Sequence, residues 1–410
     1  AESDSELLKN DWGREVHDMV KDGRPWDAYA AWGERMTARD DPLADNEALT
    51  RTMWERITEA AETHYEPGRF TAFIGYEWTS SPGGNNLHRN VIFRDDKDQA
   101  DQVIPMSQYD STDPEDLWDY MADYEAKTGG KVLAIPHNGN LANGMMFDVK
   151  DMDGNPLTRA YAETRDRWEP IYEVTQIKGD GETHPLLSPD DEFADYETWD
   201  LGNLNLSQAK TEDMLQYEYG RSALKLGLQL EAALGVNPFQ FGMIGSTDSH
   251  TSLPAVEEEN FFGKHSGVEP TPQRAAHVAV GSPDGSLAFM GWDMASSGYA
   301  AVWATENTRE AIWDAMMRKE VYATTGSRML IRFFGGFEFT EADTHSRFPG
   351  QAGYSKGVPM GGELSAANGR TPSFLVAAMK DPYSGNLDRI QVIKGWMDAQ
   401  GELHEKVYDV

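Results

Sequence analysis

Short apolar segments that alternate with helical segments constrain the fold of this chain more than any other feature. The apolar segments lie near 71–77, 131–136, 171–177 and 241–246 and are rich in residues that favour β-strands. Helical periodicity and helix-start signals predict helices near 5–20, 26–39, 42–65, 113–127, 158–168, 207–234 and 307–319. This alternation is typical of an α/β fold with a parallel sheet or barrel.

Three helix starts are predicted from capping residues. Asp41 followed by Pro42, and Asp113 followed by Pro114, have the pattern of an N-cap before a first-turn proline. For the last predicted helix, Asn307 or Thr308 is the expected cap.

The C-terminal part of the sequence has a different pattern. From about residue 330 the helical pattern stops, and segments near 329–339, 373–379, 388–396 and 403–409 have the composition of β-strands. We therefore predict an α/β domain over 1–328, with a long loop or lid at 251–300, and a small C-terminal β-rich domain over 329–410.

Polar residues that can bind metals stand where several of the predicted strands begin or end. They are Glu77, His88, His137, Asp248 and His250. Ligands bind at strand ends in α/β folds, and in an extended chain Asp248 and His250 would point at one atom. Carboxylates beside imidazoles suit Zn, Mn or Fe. The set predicts a mixed nitrogen and oxygen metal site.

Each residue also has a simpler interpretation. Glu77 could be an ion-paired strand end, His88 a surface histidine and His137 a packed histidine after Pro136. Asp248 could cap a following helix. The shared placement at strand ends favours the metal site.

Two cations lie near the same sheet edge. Arg89 and Lys178 could bind an anionic oxygen in a transition state, and the alternative is ordinary surface charge.

Composition excludes several functions. The formal net charge of -33 argues against nucleic acid as a partner, which requires a basic surface. The absence of cysteine excludes disulfides and thiolate ligands. No apolar run is long enough to span a membrane, and the first residues lack a signal-peptide pattern. Phosphate-binding glycine loops and a serine nucleophile elbow are also absent.

Several motifs together resemble a bacterial branch of the PHP (polymerase and histidinol phosphatase) metallohydrolases. They are Phe73-Ile-Gly-Tyr-Glu-Trp78, Asn86-Leu-His-Arg-Asn-Val-Ile-Phe93, Ile135-Pro-His-Asn138, Glu173-Val-Thr-Gln-Ile-Lys-Gly179, Gly245-Ser-Thr-Asp-Ser-His250, Val321-Tyr-Ala-Thr-Thr-Gly326 and Gln391-Val-Ile-Lys-Gly-Trp396. The resemblance implies a distorted (β/α)7 barrel that holds two or three divalent ions (Zn, Mn or Fe) and hydrolyses phosphate esters. It also implies an exported, periplasmic or secreted protein.

The resemblance assigns roles to the same five residues. Glu77 corresponds to the bridging carboxylate, His88 and His137 to the following ligands, and Asp248 with His250 to the closing Asp-x-His pair. The early His-x-His and Asp-His motifs of the superfamily are missing. The resemblance therefore implies a chain truncated at both ends, without the first barrel strands and their ligands.

The leading hypothesis is a metal-dependent hydrolase of a small anionic phosphate ester, a phosphomonoesterase or phosphodiesterase that uses metal-bound hydroxide. A sulfate or phosphonate ester is an alternative, because the same ions bind any tetrahedral oxyanion. A non-catalytic binding or scaffold protein is the alternative from another class. The sequence leaves the oligomeric state open.

Overall fold

The computed structural model describes residues 6–44, 46–254, 261–265, 269–294, 298–366 and 369–410. The helices are α1 Asp11–Lys21, α2 Pro25–Ala38, α3 Glu47–His64, α4 Lys97–Ala100, α5 Pro114–Thr128, α6 Arg159–Trp168, α7 Gly220–Leu234, α8 Arg309–Met317, α9 Glu341–Thr344 and α10 Pro349–Lys356. The strands are β1 Ile74–Trp78, β2 Arg89–Phe93, β3 Val132–Pro136, β4 Ile171–Gln176, β5 Gly179–Asp180, β6 Gly242–Gly245, β7 Val278–Gly281, β8 Ala288–Met290, β9 Tyr299–Val302, β10 Val321–Thr324, β11 Leu330–Gly336, β12 Gly357–Pro359, β13 Ser373–Met379, β14 Gln391–Met397 and β15 Leu403–Asp409.

The helix caps test the sequence predictions directly. Asp113 caps α5 and Thr308 caps α8, as expected. The predicted cap at Asp41 is wrong, because its carboxylate accepts from the nearby backbone N–H of Leu43 and forms a turn instead. Helix α3 begins later, where the Asn46 side chain accepts from the backbone N–H of Leu49 at 3.1 Å.

The strands form mixed small sheets. β2 pairs antiparallel with both β1 and β3, whereas β4 pairs parallel with β6, as the alternating pattern predicts. β3 lies beside β4, and β6 lies beside β10, which pairs with β9. Over the ranges that the structure describes these sheets do not close into a barrel, and the distorted barrel stays a prediction.

A core of large aromatic and aliphatic side chains fixes the first sheet against the helices. It includes Trp54, Trp78, Phe93, Leu117, Trp118 and Met121. The neighbouring sheet is packed so closely that a Cβ on Gly245 would lie 2.8 Å from the carbonyl oxygen of Thr324. Close packing thus holds the ends of β6 and β10 together.

The C-terminal part forms β-structure, as its pattern predicts. β11 pairs with β12 and β13, and β14 pairs with β15. The expectation that helices are absent from this part is wrong, because α10 spans Pro349–Lys356. Its proline occupies the first turn, which is compatible with a helix although the residue signals a turn in sequence.

The 251–300 region contains more than loop. β7 and β8 form an antiparallel hairpin, and Phe289 of β8 stacks on Trp199 with ring centroids 4.0 Å apart. Its role as a lid stays a prediction. Residues 255–260, 266–268 and 295–297 of this region lie outside the described residues.

A buried charge network joins β2 to α5 and α6. Glu169 lies between Arg89 and Arg165, each with its Nε 3.0 Å from a carboxylate oxygen, and it accepts from the Trp118 indole N–H at 3.1 Å. Burial raises the pKa of Glu169, but the two guanidinium groups outweigh it and lower that pKa overall. The single carboxylate pairs with two buried cations that would otherwise have no counter-charge in this network.

Replacement of this carboxylate should therefore be costly. We expect Glu169→Ala to lower the free energy of unfolding by about 3–5 kcal/mol, because it leaves buried guanidinium groups unpaired. The exposed pair Arg159–Glu163 supplies the control, and Glu163→Ala should change stability little. Denaturant unfolding would measure both; equal small effects would contradict the assigned role of Glu169.

Candidate metal centre

One edge of the first sheet gathers three of the predicted ligands. Glu77 lies near the end of β1, His88 immediately precedes β2 and His137 immediately follows β3. The ladder pairs Trp78 with Arg89, and Arg89 with Pro136, so all three ligands fall at the same end. The prediction that these three residues stand where strands begin or end is confirmed.

The three side chains converge on one carboxylate oxygen. Glu77 Oε1 lies 2.8 Å from His88 Nδ1 and 3.1 Å from His137 Nε2, and the two imidazole rings are nearly perpendicular. Both histidines are buried. His88 Nε2 lies 2.9 Å from Ser81 Oγ, which fixes the orientation of its ring.

The electrostatics of the three groups are coupled. Burial raises the pKa of Glu77, but the hydrogen bonds from His137 and His88 hold it well below its usual range. Burial lowers the pKa of His88. Burial also lowers the pKa of His137. The hydrogen bond and the charge of Glu77 outweigh burial there, so the His137 pKa is raised overall. The Glu77 carboxylate is therefore held in its ionised form, and its charge favours the protonated form of His137.

These residues fit a divalent ion. Their ligating atoms all lie within 4.8 Å of one another. A tetrahedral Zn²⁺ with bonds of about 2.1 Å places its ligands about 3.4 Å apart, so Glu77 Oε1, which lies 2.8 Å and 3.1 Å from the two histidine nitrogens, would have to move outward by a few tenths of an ångström to bind such an ion. Within the described parts of the chain, His137 Nδ1 is buried without a hydrogen-bond partner. The group could hold a metal ion.

Asp248 occupies a neighbouring position with two lysines. Its carboxylate accepts hydrogen bonds from Lys178 and Lys264. Burial raises the Asp248 pKa, but the lysine charges outweigh it and hold that pKa far below its usual range. Burial, with the nearby charge of Lys178, lowers the pKa of Lys264 to about 7.

His250 lies beside Asp248 but outside the Glu77 group. Its Nδ1 is 2.9 Å from the Asp248 carbonyl oxygen and 3.7 Å from Asp248 Oδ1. The backbone of Asp248 is left-handed, with φ of 50°, so the extended geometry expected for this pair does not occur. His250 is consequently exposed.

Arg89 does not face this edge. It follows His88 in the sequence and points to the opposite side, where it pairs with the buried Glu169. Lys178, by contrast, lies at the site through its bond to Asp248.

Two further residues near the candidate site are absent from the sequence predictions. Glu173 on β4 is buried, accepts from the Ser246 hydroxyl, and leaves its other oxygen without a partner among the described residues. Burial raises its pKa. An acidic residue inside an apolar strand was the available signal. Lys264 lies in a loop, where no local pattern indicates that it reaches Asp248.

Comparison with known proteins identifies the family. A family model described as protein of unknown function (DUF3604) matches residues 1–410. The chain belongs to this family. No curated protein and no solved structure matches it. None of the described helices is both long and apolar enough to span a bilayer.

Removal of a histidine from the Glu77 group should remove the metal. We expect the protein to take up at least about one Zn²⁺ or Mn²⁺ per chain, and His88→Ala or His137→Ala to reduce uptake to near zero. The control is His404→Ala, because His404 pairs with Asp398 on the exposed β14–β15 hairpin. Elemental analysis after dialysis measures the content. Unchanged uptake in both variants would refute the site.

Metal affinity should depend on pH. Because the His137 pKa is raised, the imidazole carries a proton at and below its ordinary pKa of 6.5, and that proton competes with the ion. The affinity should therefore rise with pH, by up to about tenfold per unit below the His137 pKa. Titrations between pH 5.5 and pH 8 would measure it, and a flat profile would contradict the assignment.

Proposed function

We propose that the protein is a metal-dependent hydrolase of phosphate esters. The buried convergence of His88 and His137 on one oxygen of Glu77 carries the proposal. Two imidazoles and a carboxylate form a ligand set common to catalytic divalent ions, and such sites keep an open position for water or substrate. An ion bound there would polarise the ester and activate water.

The lysines beside the cluster support an anionic substrate. Lys178 and Lys264 converge on Asp248, and the charge of Glu77 also affects the Lys178 pKa. Burial lowers the Lys178 pKa, but the charge of Asp248 outweighs burial and the pKa is raised overall. Lys178 therefore remains cationic. We assign the two lysines to the non-bridging oxygens of the ester, where positive charge stabilises the transition state. Because Arg89 is paired with Glu169, we give it no contact with substrate.

Further ions belong to the same proposal. Asp248 and Glu173 both influence the His137 pKa and so lie within electrostatic range of it. Their oxygens would complete a site for a second or third ion (Zn, Mn or Fe), with His250 as an additional nitrogen donor. Placement in the PHP superfamily rests on the motifs around Glu77, His137 and Asp248.

The proposed function predicts distinct effects for two variants. We expect His137→Ala to abolish hydrolysis of an aryl phosphate, because the ion is lost. Lys178→Met should retain the ion but lower kcat by about 100-fold, because a cation at the developing charge is lost. Lys97→Met is the control, since that lysine pairs with Glu59 on the exposed surface.

Steady-state kinetics with metal analysis of each variant would make the test. Full activity in His137→Ala and Lys178→Met would refute the proposal. Faster turnover of a matched aryl sulfate or phosphonate than of the phosphate would reassign the substrate class. Absence of turnover in the metal-loaded protein would favour a binding role.

A further inference from the structure

A line of four rings leads from the protein surface to Asp248. The Trp32 and Tyr29 rings on α2 have centroids 5.9 Å apart, and Tyr29 lies 5.2 Å from the ring of His265. The His265 ring lies 4.9 Å from that of His250. His250 in turn contacts Asp248 through the Asp248 carbonyl oxygen.

The backbone ties this ring line to the candidate metal centre. The His250 N–H donates to the Lys264 carbonyl at 2.8 Å, and Lys264 reaches Asp248. His265 directly follows Lys264 in the sequence, so its position is tied to that of a lysine that contacts Asp248. Helix α2 also contacts the turn at Pro82–Gly84, which lies between β1 and His88.

The charges of Lys178 and Asp248 affect the pKa of Tyr29, so Tyr29 lies within electrostatic range of the site. Desolvation raises the pKa of its phenol, Lys178 lowers it and Asp248 raises it. The Tyr29 residue is nevertheless 46% exposed and the Trp32 residue 39% exposed. Partly exposed aromatic residues beside a polar site provide apolar surface against which the aryl group of a ligand packs.

We propose that Tyr29, Trp32 and His265 form an aromatic subsite that binds an aryl group of the ester substrate. The ester's phosphoryl group then lies at Lys178 and Lys264 while its ring packs along the Tyr29 face. This inference rests on the proposed function and names its substrate class: aryl esters bind better than small alkyl esters of equal charge.

A comparison of phenylphosphonate with methylphosphonate separates the contribution of the aryl ring to binding from that of the anionic group. Both carry the same anionic group, and neither is an ester. Calorimetric titration of the metal-loaded protein should show phenylphosphonate binding about tenfold more tightly, the size of one stacking contact. Tyr29→Leu should abolish the difference, whereas Tyr29→Phe should retain it. The control Tyr383→Leu, at a side chain 98% exposed between β13 and β14, should leave it unchanged.

The outcomes distinguish the two proposals. Equal binding of both phosphonates by the unaltered protein would overturn the aromatic subsite and leave the hydrolase function standing. A preference that survives Tyr29→Leu and Trp32→Leu would also overturn the subsite. Loss of binding for both phosphonates, together with absence of ester turnover, would overturn the subsite and the proposed function alike.

Discussion

The antiparallel register of β2 between β1 and β3 is the constraint on which the candidate metal centre depends. It places the end of β1, the start of β2 and the end of β3 at one edge. Because side chains alternate along a strand, His88 faces Glu77 while Arg89 faces the core. A slip of one residue would exchange these two environments, and it would separate the three candidate ligands and break the Glu169 ion pair.

Around the candidate metal centre, some buried polar atoms have no hydrogen-bond partner among the described residues. Glu173 retains an oxygen, and His137 a nitrogen, without a partner in the described chain. Asp248 holds a left-handed backbone conformation. Unsatisfied buried atoms and unusual backbone angles lower stability, and they persist at sites where a ligand compensates for them.

The sequence predicts the three residues of the site whose positions follow from strand ends and strand pairing. Glu77, His88 and His137 stand at strand ends in sequence, and strand pairing suffices to bring them together. The position of Lys264 depends on the path of a loop, and the environment of Arg89 depends on a glutamate 80 residues away. Neither has a periodic signal. Helix α10 was missed because Pro349, Gly350 and Gly353 resemble a loop, although tertiary contacts stabilise it, including the bond from Tyr354 to Glu320.

The charge distribution explains why a ring could matter as much as an anionic group in this protein. The chain carries 69 acidic against 36 basic residues, so its average field repels an approaching phosphate. Lys178 and Lys264 reverse that sign only locally, and Asp248 partly neutralises them. Aromatic packing on Tyr29 and Trp32 is insensitive to net charge. The proposed aromatic subsite would therefore contribute binding free energy that the net charge of the chain does not oppose.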